Sequence, residues 1–187
     1  MGKIIAGINM TLDGVCDHTK VTPDDEVHHH YDQLLRQADV ILYGRITYQL
    51  MEFWKTILEQ PTGNQSMDEF AVAMDSIPKI VFSRTLDDVD WKSATLAKRS
   101  LQEEALALAQ QPDKRILVGS RSLIIDLLRL DLIDEFQLMI HPVIAGEGLK
   151  LFEDIRDRKL LKLVKTKAFD SGAIIHYYEP AKKQTGN

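Results

Sequence analysis

Short apolar runs alternate with helix-like segments along the first two thirds of the chain, and this alternation constrains the fold more than any other feature. Each apolar run is short and bounded by turn residues, which is typical of a buried strand. Such strands are predicted at residues 3–9, 40–43, 79–83, 115–118 and 135–140. Helices are predicted at residues 24–38, 45–54, 67–76, 100–111 and 120–130. Strands that alternate with helices in this way form a largely parallel sheet.

The last third of the chain follows a different pattern. Residues 159–169 and 173–179 are two strand-like runs joined by Asp170-Ser171-Gly172, a hairpin signal. Antiparallel strands at one edge of a parallel sheet are common in mixed sheets. The sequence therefore predicts one α/β domain over residues 1–180, with helices on both faces of a mixed, mostly parallel sheet. Residues 181–187 are predicted to be a polar tail.

Composition disfavours several classes of function. The chain has 23 Lys and Arg against 28 Asp and Glu, a formal net charge of −5, and its basic residues are interleaved with acidic ones. A nucleic-acid partner is not expected, because phosphate binding needs a concentrated basic surface. Cys16 is the single cysteine, so no internal disulfide can form. No apolar stretch reaches the roughly 18 residues of a membrane span, and no signal peptide is recognised. A cytoplasmic protein is expected.

Three predicted strands end in similar short segments. These segments are Gly44-Arg45-Ile46-Thr47, Ser83-Arg84-Thr85 and Gly119-Ser120-Arg121-Ser122. The carboxyl ends of parallel strands meet at one edge of a sheet, where ligands bind. Helix starts offer free amides, glycine permits close approach, and arginine pairs with phosphate. The set predicts a dinucleotide, and the additional arginines favour the phosphorylated form, NADPH. Turns and helix caps use the same residue types, so each segment alone also has a purely structural interpretation.

The same segments resemble the three cofactor motifs of dihydrofolate reductases. They extend to Gly44-Arg45-Ile46-Thr47-Tyr48, Ile80-Val81-Phe82-Ser83-Arg84-Thr85 and Val118-Gly119-Ser120. Thr11-Leu12-Asp13-Gly14 and the run from Leu132 to Phe152 are similar to a closer branch. That branch contains the reductase domain of bacterial riboflavin-biosynthesis enzymes and small stand-alone relatives. The Gly-x-Gly-x-x-Gly fingerprint of an ordinary Rossmann domain is absent.

The resemblance implies a dihydrofolate-reductase-like three-layer fold, NADPH as cofactor and a homodimer. It places Asn9, Asp13 and Gly14 beside the nicotinamide, and Gly44, Arg45 and Thr47 at the phosphates. It places Ser83 and Arg84 on the adenosine ribose phosphate. It implies that the start of the 120–130 helix cradles the pyrophosphate with Gly119, Ser120, Arg121, Ser122 and Leu123. The family usually has a second glycine where this chain has Ser120, which is expected to weaken or alter cofactor binding.

The proton donor is less defined than the cofactor site. Asp13 and His29 are weak candidates, and Asp24, Asp25 and Glu26 share the first helical turn, where acids commonly just complement the helix dipole. Residues 28–30 are three successive histidines, which point in different directions on a helix and make a poor metal site, so no metal is predicted.

Two functions remain open. The first is an NADPH-dependent reductase acting on a small heterocyclic or carbonyl substrate, either pterin-like or a ribosylaminopyrimidine-like compound. The second is a non-catalytic nucleotide-binding protein that retains the fold. Folate reduction itself is disfavoured, because the chain lacks the Leu-Pro-Trp type signature before its first helix.

Overall fold

A computed structural model describes residues 1–181 of the chain. Residues 182–187, which make up the rest of the predicted polar tail after Ala181, therefore lie outside the described residues. The strands are β1 Lys3–Thr11, β2 Val40–Gly44, β3 Lys79–Phe82, β4 Ala94–Leu96, β5 Arg115–Val118, β6 Glu135–His141, β7 Leu161–Ala168 and β8 Ile174–Pro180. The helices are α1 Asp25–Gln37, α2 Arg45–Met51, α3 Phe53–Glu59, α4 Gln65–Ser76, α5 Leu101–Ala109 and α6 Arg121–Arg129.

The strands form one eight-stranded sheet in the order β4-β3-β2-β5-β1-β6-β8-β7. Strands β1 to β6 are parallel, while β8 pairs antiparallel with β6 and β7 pairs antiparallel with β8. The mixed, mostly parallel sheet with a carboxy-terminal antiparallel hairpin is thus confirmed. Central strand β1 pairs with β5 on one side and β6 on the other, which aligns Ala6 with both Val118 and Phe136.

Successive residues of the central strands face opposite sides of the sheet, as strand geometry requires. On β1, Ile4 belongs to one apolar cluster and Ile5 to the other. The cluster around Ile4 includes residues of α5 and α6, such as Ala105 and Ile124. The cluster around Ile5 includes residues of α1 and α4, such as Leu34 and Met74. Both faces are covered, which explains why the strands are continuously apolar rather than alternating.

Two elements differ from the sequence prediction. The sequence predicts a strand-poor connector between β3 and α5, but β4 forms there and pairs in parallel with β3. Its three residues carry little local signal, and it forms because Trp91, 2% exposed, anchors the chain there and the Lys79 amide donates to the Ser93 carbonyl. The predicted 45–54 helix is instead two short helices, α2 and α3, divided at Glu52.

Helix α1 carries a half-buried histidine that packs on aromatic rings. Asp24 caps the helix by accepting a hydrogen bond from the Val27 amide at 2.8 Å. The His30 ring contacts the rings of Tyr31 and Phe169 edge-on, and its Nε2 is buried without a hydrogen-bond partner among the described residues. Burial, with help from Lys167 and Lys165, lowers the pKa of His30 to about 4. The folded protein therefore keeps this imidazole neutral.

Acidification should weaken the fold through His30. The unfolded chain takes up a proton as the pH falls below 6.5, whereas folded His30 resists protonation down to about pH 4. The stabilising contribution is complete above pH 6.5 and is lost between those two values. We expect His30→Phe to remove this loss. Between pH 7.5 and pH 4, the free energy of unfolding of the variant should fall by on the order of 2 kcal/mol less than that of the wild type.

Urea unfolding at a series of pH values measures this difference. His30→Gln is the matched variant, because it cannot titrate but keeps a polar side chain, so it should share the flattened pH dependence whatever its baseline stability. A wild-type pH dependence in both variants would contradict the assignment.

Candidate functional site

A cavity of about 600 Å³ opens between the sheet and the helices near the carboxyl ends of β1, β2 and β5. Its floor is formed by alternate residues of these strands. The floor residues are Gly7, Asn9, Ile41, Tyr43, Leu117 and, just after β5, Gly119. Helix α1 forms one wall, and α2, α3 and α4 form the other. This volume is within the usual range for a small-molecule site.

The α3–α4 wall of the cavity is aromatic. The Trp54 ring lies edge-on to Phe70 with centroids 4.5 Å apart, and Phe53 lies edge-on to Trp54 at 5.4 Å. The His28 ring approaches Trp54 at 5.8 Å in the same geometry. Edge-to-face pairs of this kind hold rings in place. The wall therefore offers a fixed apolar surface to a ligand.

His28, rather than His29, faces the cavity. His28 lies in the cavity wall, and burial lowers its pKa although the Asp25 and Asp24 carboxylates partly oppose this. His29 is exposed and its Nε2 lies 2.9 Å from Gln33 Nε2. His29, predicted as a candidate proton donor, therefore does not line this cavity, because one residue turns a helical side chain by about 100°.

A polar corner of the cavity is built around Asn9. Its Oδ1 lies 2.9 Å from Nε2 of His141, which is 5% exposed and whose pKa is lowered by burial. Asp17 also lines the cavity and accepts hydrogen bonds from the amide and hydroxyl of Thr19, which lower its pKa. Asp17 is therefore ionised near neutral pH and cannot donate a proton there.

Asp13 is committed to holding a loop. Its carboxylate accepts hydrogen bonds from the Thr11 hydroxyl at 2.6 Å, the Ala145 amide at 3.0 Å and the Gly146 amide at 2.9 Å. These donors hold the pKa of Asp13 far below its usual range. Asp13 is not among the residues that line the cavity. The hypothesis that Asp13 donates a proton is therefore not supported, and Gly14 serves the adjoining turn with φ +86°.

Ser120 joins the ends of two strands. Its Oγ accepts a hydrogen bond from the Gly44 amide at 2.9 Å, and the side chain is 1% exposed. The backbone of Ser120 is extended, with φ −102° and ψ 127°, which any residue adopts. At Gly119, by contrast, an added Cβ would lie 3.2 Å from the Tyr43 ring. A side chain at 119 would therefore require the Tyr43 ring to shift by a few tenths of an ångström, whereas serine at 120 is accommodated without backbone strain.

Helix α6 begins without a side-chain cap. Its N-cap residue is Ser120, whose hydroxyl bonds to Gly44 rather than to the helix. Helices α1, α4 and α5 are capped by Asp24, Asn64 and Ser100. Uncapped amides at a helix start are ready partners for an anion. Ser122 adds an exposed hydroxyl in the first turn of α6, whereas the Leu123 side chain is buried and can offer only its backbone.

Not all of the arginines predicted to bind phosphate are free of other partners within residues 1–181. Arg45 and Arg84 are exposed and form no ion pair within residues 1–181. Thr47, two residues after Arg45, lines the cavity from α2. Arg121 instead donates to the Lys150 carbonyl at 2.7 Å and to Asp154 at 3.0 Å. It thereby ties α6 to the 149–154 segment.

Ser83 and the end of β4 complete this edge of the sheet. The Ser83 hydroxyl accepts hydrogen bonds from the amides of Thr85 and Leu86, so it shapes the turn that carries Arg84. Lys98 and Arg99 follow β4 and are exposed. The sequence interpretation missed both, because it missed β4; a parallel strand beyond β3 is visible only in the sheet order.

Comparison with known proteins identifies the family. The sequence profile described as the RibD C-terminal domain matches residues 2–175. The chain belongs to the RibD C-terminal domain family. The protein YyaP of Bacillus subtilis (strain 168) is 35% identical to it over 176 residues, 92% of each chain. YwjB of the same organism is 23% identical over 182 residues, 94% of this chain and 97% of YwjB.

Solved structures show the same fold for this RibD C-terminal domain. A Shewanella sp. PV-4 protein assigned to riboflavin biosynthesis superposes with a TM-score of 0.73 at 20% identity, covering 96% of this chain and 99% of its own. A pyrimidine reductase-like protein of Corynebacterium diphtheriae gives 0.64 at 16% identity, over 97% and 92%. Acinetobacter baumannii RibD gives 0.64 at 15% identity, over 97% of this chain and 59% of RibD. The expected dihydrofolate-reductase-like fold is confirmed.

A second group of polar side chains lies outside the cavity of this RibD C-terminal domain. His29, Asp32 and Glu69 bring one ligand atom each within 4.8 Å of one another, between α1 and α4. Arg36 Nε donates to both carboxylate oxygens of Asp32, at 2.9 and 3.0 Å. The guanidinium therefore already neutralises the buried member of the group. No helix within residues 1–181 is long and apolar enough to cross a membrane.

The Ser120 hydroxyl should contribute to the stability of this edge. We expect Ser120→Ala to lower the free energy of unfolding by about 1 kcal/mol, because the Gly44 amide loses its acceptor. Ser122→Ala is the matched control, since Ser122 is exposed and should change stability little. Urea unfolding of both variants makes the comparison, and equal stabilities would contradict a role for the hydroxyl.

Asp13 should control the mobility of the 143–148 loop. In Asp13→Ala, the amides of Ala145 and Gly146 lose their acceptor, and we expect them to exchange with solvent at least about tenfold faster. Asp13→Asn keeps one carbonyl acceptor and should give an intermediate rate. Hydrogen exchange followed by NMR reads these two amides directly, and unchanged protection in Asp13→Ala would refute the tether.

Proposed function

We propose that the protein is an NADPH-dependent reductase that transfers a hydride to a C=O or C=N group of a small molecule. The observation that supports this most directly is the uncapped start of α6 beside the cavity. The first-turn amides of α6 and the exposed Ser122 hydroxyl fit a pyrophosphate. Gly119 brings the chain close to the Tyr43 ring on the cavity floor, so the residues that lead into α6 begin at the cavity.

The exposed cations on the same edge support the phosphorylated cofactor. Arg45 follows β2, Arg84 follows β3, and Lys98 and Arg99 follow β4. Since these strands are parallel, their ends lie along one edge, outward from α6. Arginine binds phosphate with two parallel hydrogen bonds. A ribose 2′-phosphate is the group that this set would hold, and Arg121 would serve by positioning the 149–154 segment instead.

The cavity suits the reaction itself. When bound, the cofactor supplies two electrons and one hydrogen as hydride. Asn9 lies on the cavity floor at the carboxyl end of β1, where it can orient the reacting ring or the substrate carbonyl. The apolar walls exclude bulk water from the reacting atoms. The second hydrogen is a proton, which we assign to water at the cavity mouth, because His28 is neutral and Asp17 stays ionised.

A non-catalytic nucleotide-binding protein is the second interpretation of the same site. Ser120, in place of the family's usual second glycine, is one reason to expect impaired cofactor binding. The structure weakens this reason, because it accommodates the serine side chain without strain. The second interpretation retains one observation in its favour, since the cavity offers no protonated carboxyl group within the described residues. Binding of NADPH without its oxidation by any carbonyl compound would select this function.

Calorimetric titration with NADPH and NADH tests the cofactor assignment. We expect NADPH to bind more tightly, and Arg84→Ala to weaken NADPH binding about tenfold, or ~1.4 kcal/mol, through the loss of a charge-assisted contact. NADH binding should not change in this variant. Lys114→Ala is the charge-matched control, because Lys114 precedes β5 at the opposite edge of the sheet. Absence of binding for both nucleotides would refute the reductase.

We also propose that the protein is a homodimer associated through the hairpin edge. Strand β7 is the outermost strand, and its Leu163 and Val164 side chains are 50% and 51% exposed. An open edge strand with apolar side chains favours association with another chain. Val164→Glu should yield a monomer in light scattering after size exclusion, while Val72→Glu on α4, where the valine is 47% exposed, serves as the matched control. A monomeric wild type would exclude the dimer.

A further inference from the structure

The charged groups around the cavity leave no cation for a substrate phosphate. The charged or titratable lining residues apart from tyrosine and cysteine are Asp17, His18, His28 and Arg121. Arg121 is satisfied by Lys150 and Asp154, and its side chain is 16% exposed. The pKa of His28 is lowered by burial. Among the described residues, the cavity lining therefore holds an ionised Asp17 and no free guanidinium or ammonium group.

The apolar side chains at the rim of the cavity also favour an uncharged ligand. Ile46, Leu50 and Phe53 line the cavity from α2 and α3 and are 66%, 37% and 53% exposed. Exposed side chains of this size around a concave site mark a surface that a ligand covers. Below the rim, Trp54 and Phe70 present the fixed ring pair described above. A flat ring entering here would contact aromatic edges and aliphatic side chains on both walls.

We infer that the substrate is an uncharged aromatic carbonyl compound without a phosphate group. The inference rests on the proposed reductase function and narrows it, because it separates this chain from reductases of phosphorylated ribosylaminopyrimidines. The hydride from the reduced nicotinamide adds to the carbonyl carbon, and the carbonyl oxygen takes a proton from water. The products are the secondary or primary alcohol, the oxidised cofactor and the hydroxide ion left by the water, so the reaction consumes one proton from the solvent overall.

The Asp17 carboxylate is a second reason why the cavity should prefer an uncharged substrate to a phosphorylated one. A phosphate that entered the cavity would meet the Asp17 carboxylate of its lining, and Asp24 acts electrostatically on His141 beside Asn9. His18, which also lines the cavity, has its Nδ1 3.6 Å from the Asp17 carboxylate and so already faces an anion. Removing a dianion from water into an apolar cavity, beside a carboxylate and with no free guanidinium or ammonium group, is strongly unfavourable. A neutral ring loses little hydration there and gains contact with the aromatic wall.

Two probes that share one ring system test the inference on the protein without cofactor. The first is 2-acetonaphthone, a neutral aryl ketone, and the second is 2-naphthyl phosphate. Calorimetric titration should show the ketone binding at least about tenfold more tightly than the phosphate. Uridine monophosphate, a phosphorylated pyrimidine, should bind no better than 2-naphthyl phosphate. Equal or tighter binding of either phosphate, found in the wild type and undiminished in Arg84→Ala, which removes a cation of the proposed cofactor edge, would overturn the inference.

Substitutions at the rim and wall of the cavity show whether the two probes bind there. Because Phe53 is exposed, its substitution tests binding without depending on a change in the folded core. Phe53→Arg places a cation on the exposed rim, so it should strengthen binding of 2-naphthyl phosphate at least about fivefold while leaving the ketone within about twofold. Trp54→Ala should weaken the ketone about tenfold. Phe152→Arg is the control, because Phe152 is exposed but does not line the cavity. If Trp54→Ala bound the ketone as tightly as the wild type, or if Phe53→Arg and Phe152→Arg changed phosphate binding alike, the probes would not be in this cavity and the inference would fail.

The separate NADPH titration distinguishes failure of the inference from failure of the proposed function. NADPH binding together with a preference for the phosphate probes would leave the reductase standing and overturn the substrate class. Ketone binding without NADPH binding would support the neutral cavity and refute the reductase. Oxidation of NADPH by 2-acetonaphthone, with the alcohol as product, would support both.

Discussion

The parallel pairing of β1 with β5 on one side and β6 on the other is the constraint on which the rest of the structure depends. It aligns Ala6 with Val118 and Phe136, so the carboxyl ends of all three strands reach the same edge. Asn9 then meets His141, and Gly119 reaches the cavity floor. The helices that follow β2 and β5 consequently begin at the cavity. A site at this edge is a consequence of the topology before any side chain is considered.

Polar groups at this edge divide into those that build it and those left available. Asp13 holds the 145–146 amides, Ser120 holds Gly44, and Arg121 holds the 149–154 segment. Each of these groups is satisfied within the protein. The start of α6 and the side chains of Arg45 and Arg84 have no such partner within residues 1–181. The free groups are amides and guanidinium groups, both of which prefer anions, so the edge is suited to a phosphorylated cofactor.

The interior of the cavity has the opposite character. Its walls are aromatic and aliphatic, His28 is held neutral by burial, and Asp17 is held ionised by Thr19. In the proposed reductase, the edge with free amides and guanidinium groups would hold the cofactor phosphates, and the apolar, slightly anionic cavity would hold the substrate. Relatives of the same fold carry names from riboflavin biosynthesis and pyrimidine reduction, but at 20% identity or less that likeness extends to the fold alone. The substrate part must therefore be inferred from this chain's own residues.

The sequence by itself determined the strand–helix alternation, the closing hairpin and the three strand-end segments, because each depends on local patterns of apolar and turn residues. The presence of Arg84 after β3 and of Gly119 after β5 could be predicted in the same way. Strand β4, and with it Lys98 and Arg99, could not be predicted, since its three residues are a strand only by pairing with β3.

Only the tertiary structure decided what the polar side chains do. Apart from Thr11 beside Asp13, the partners that give Asp13 and Arg121 their structural roles include Ala145 and Lys150, more than 25 residues away, so these roles leave no local signal. The choice between His28 and His29 depends on which face of α1 packs against α3 and α4. Ser120 is tolerated because its extended backbone and its contact with Gly44 are set by β2 and β5 lying side by side. Contacts between residues distant in the chain have no local sequence pattern, and these contacts shape the cavity.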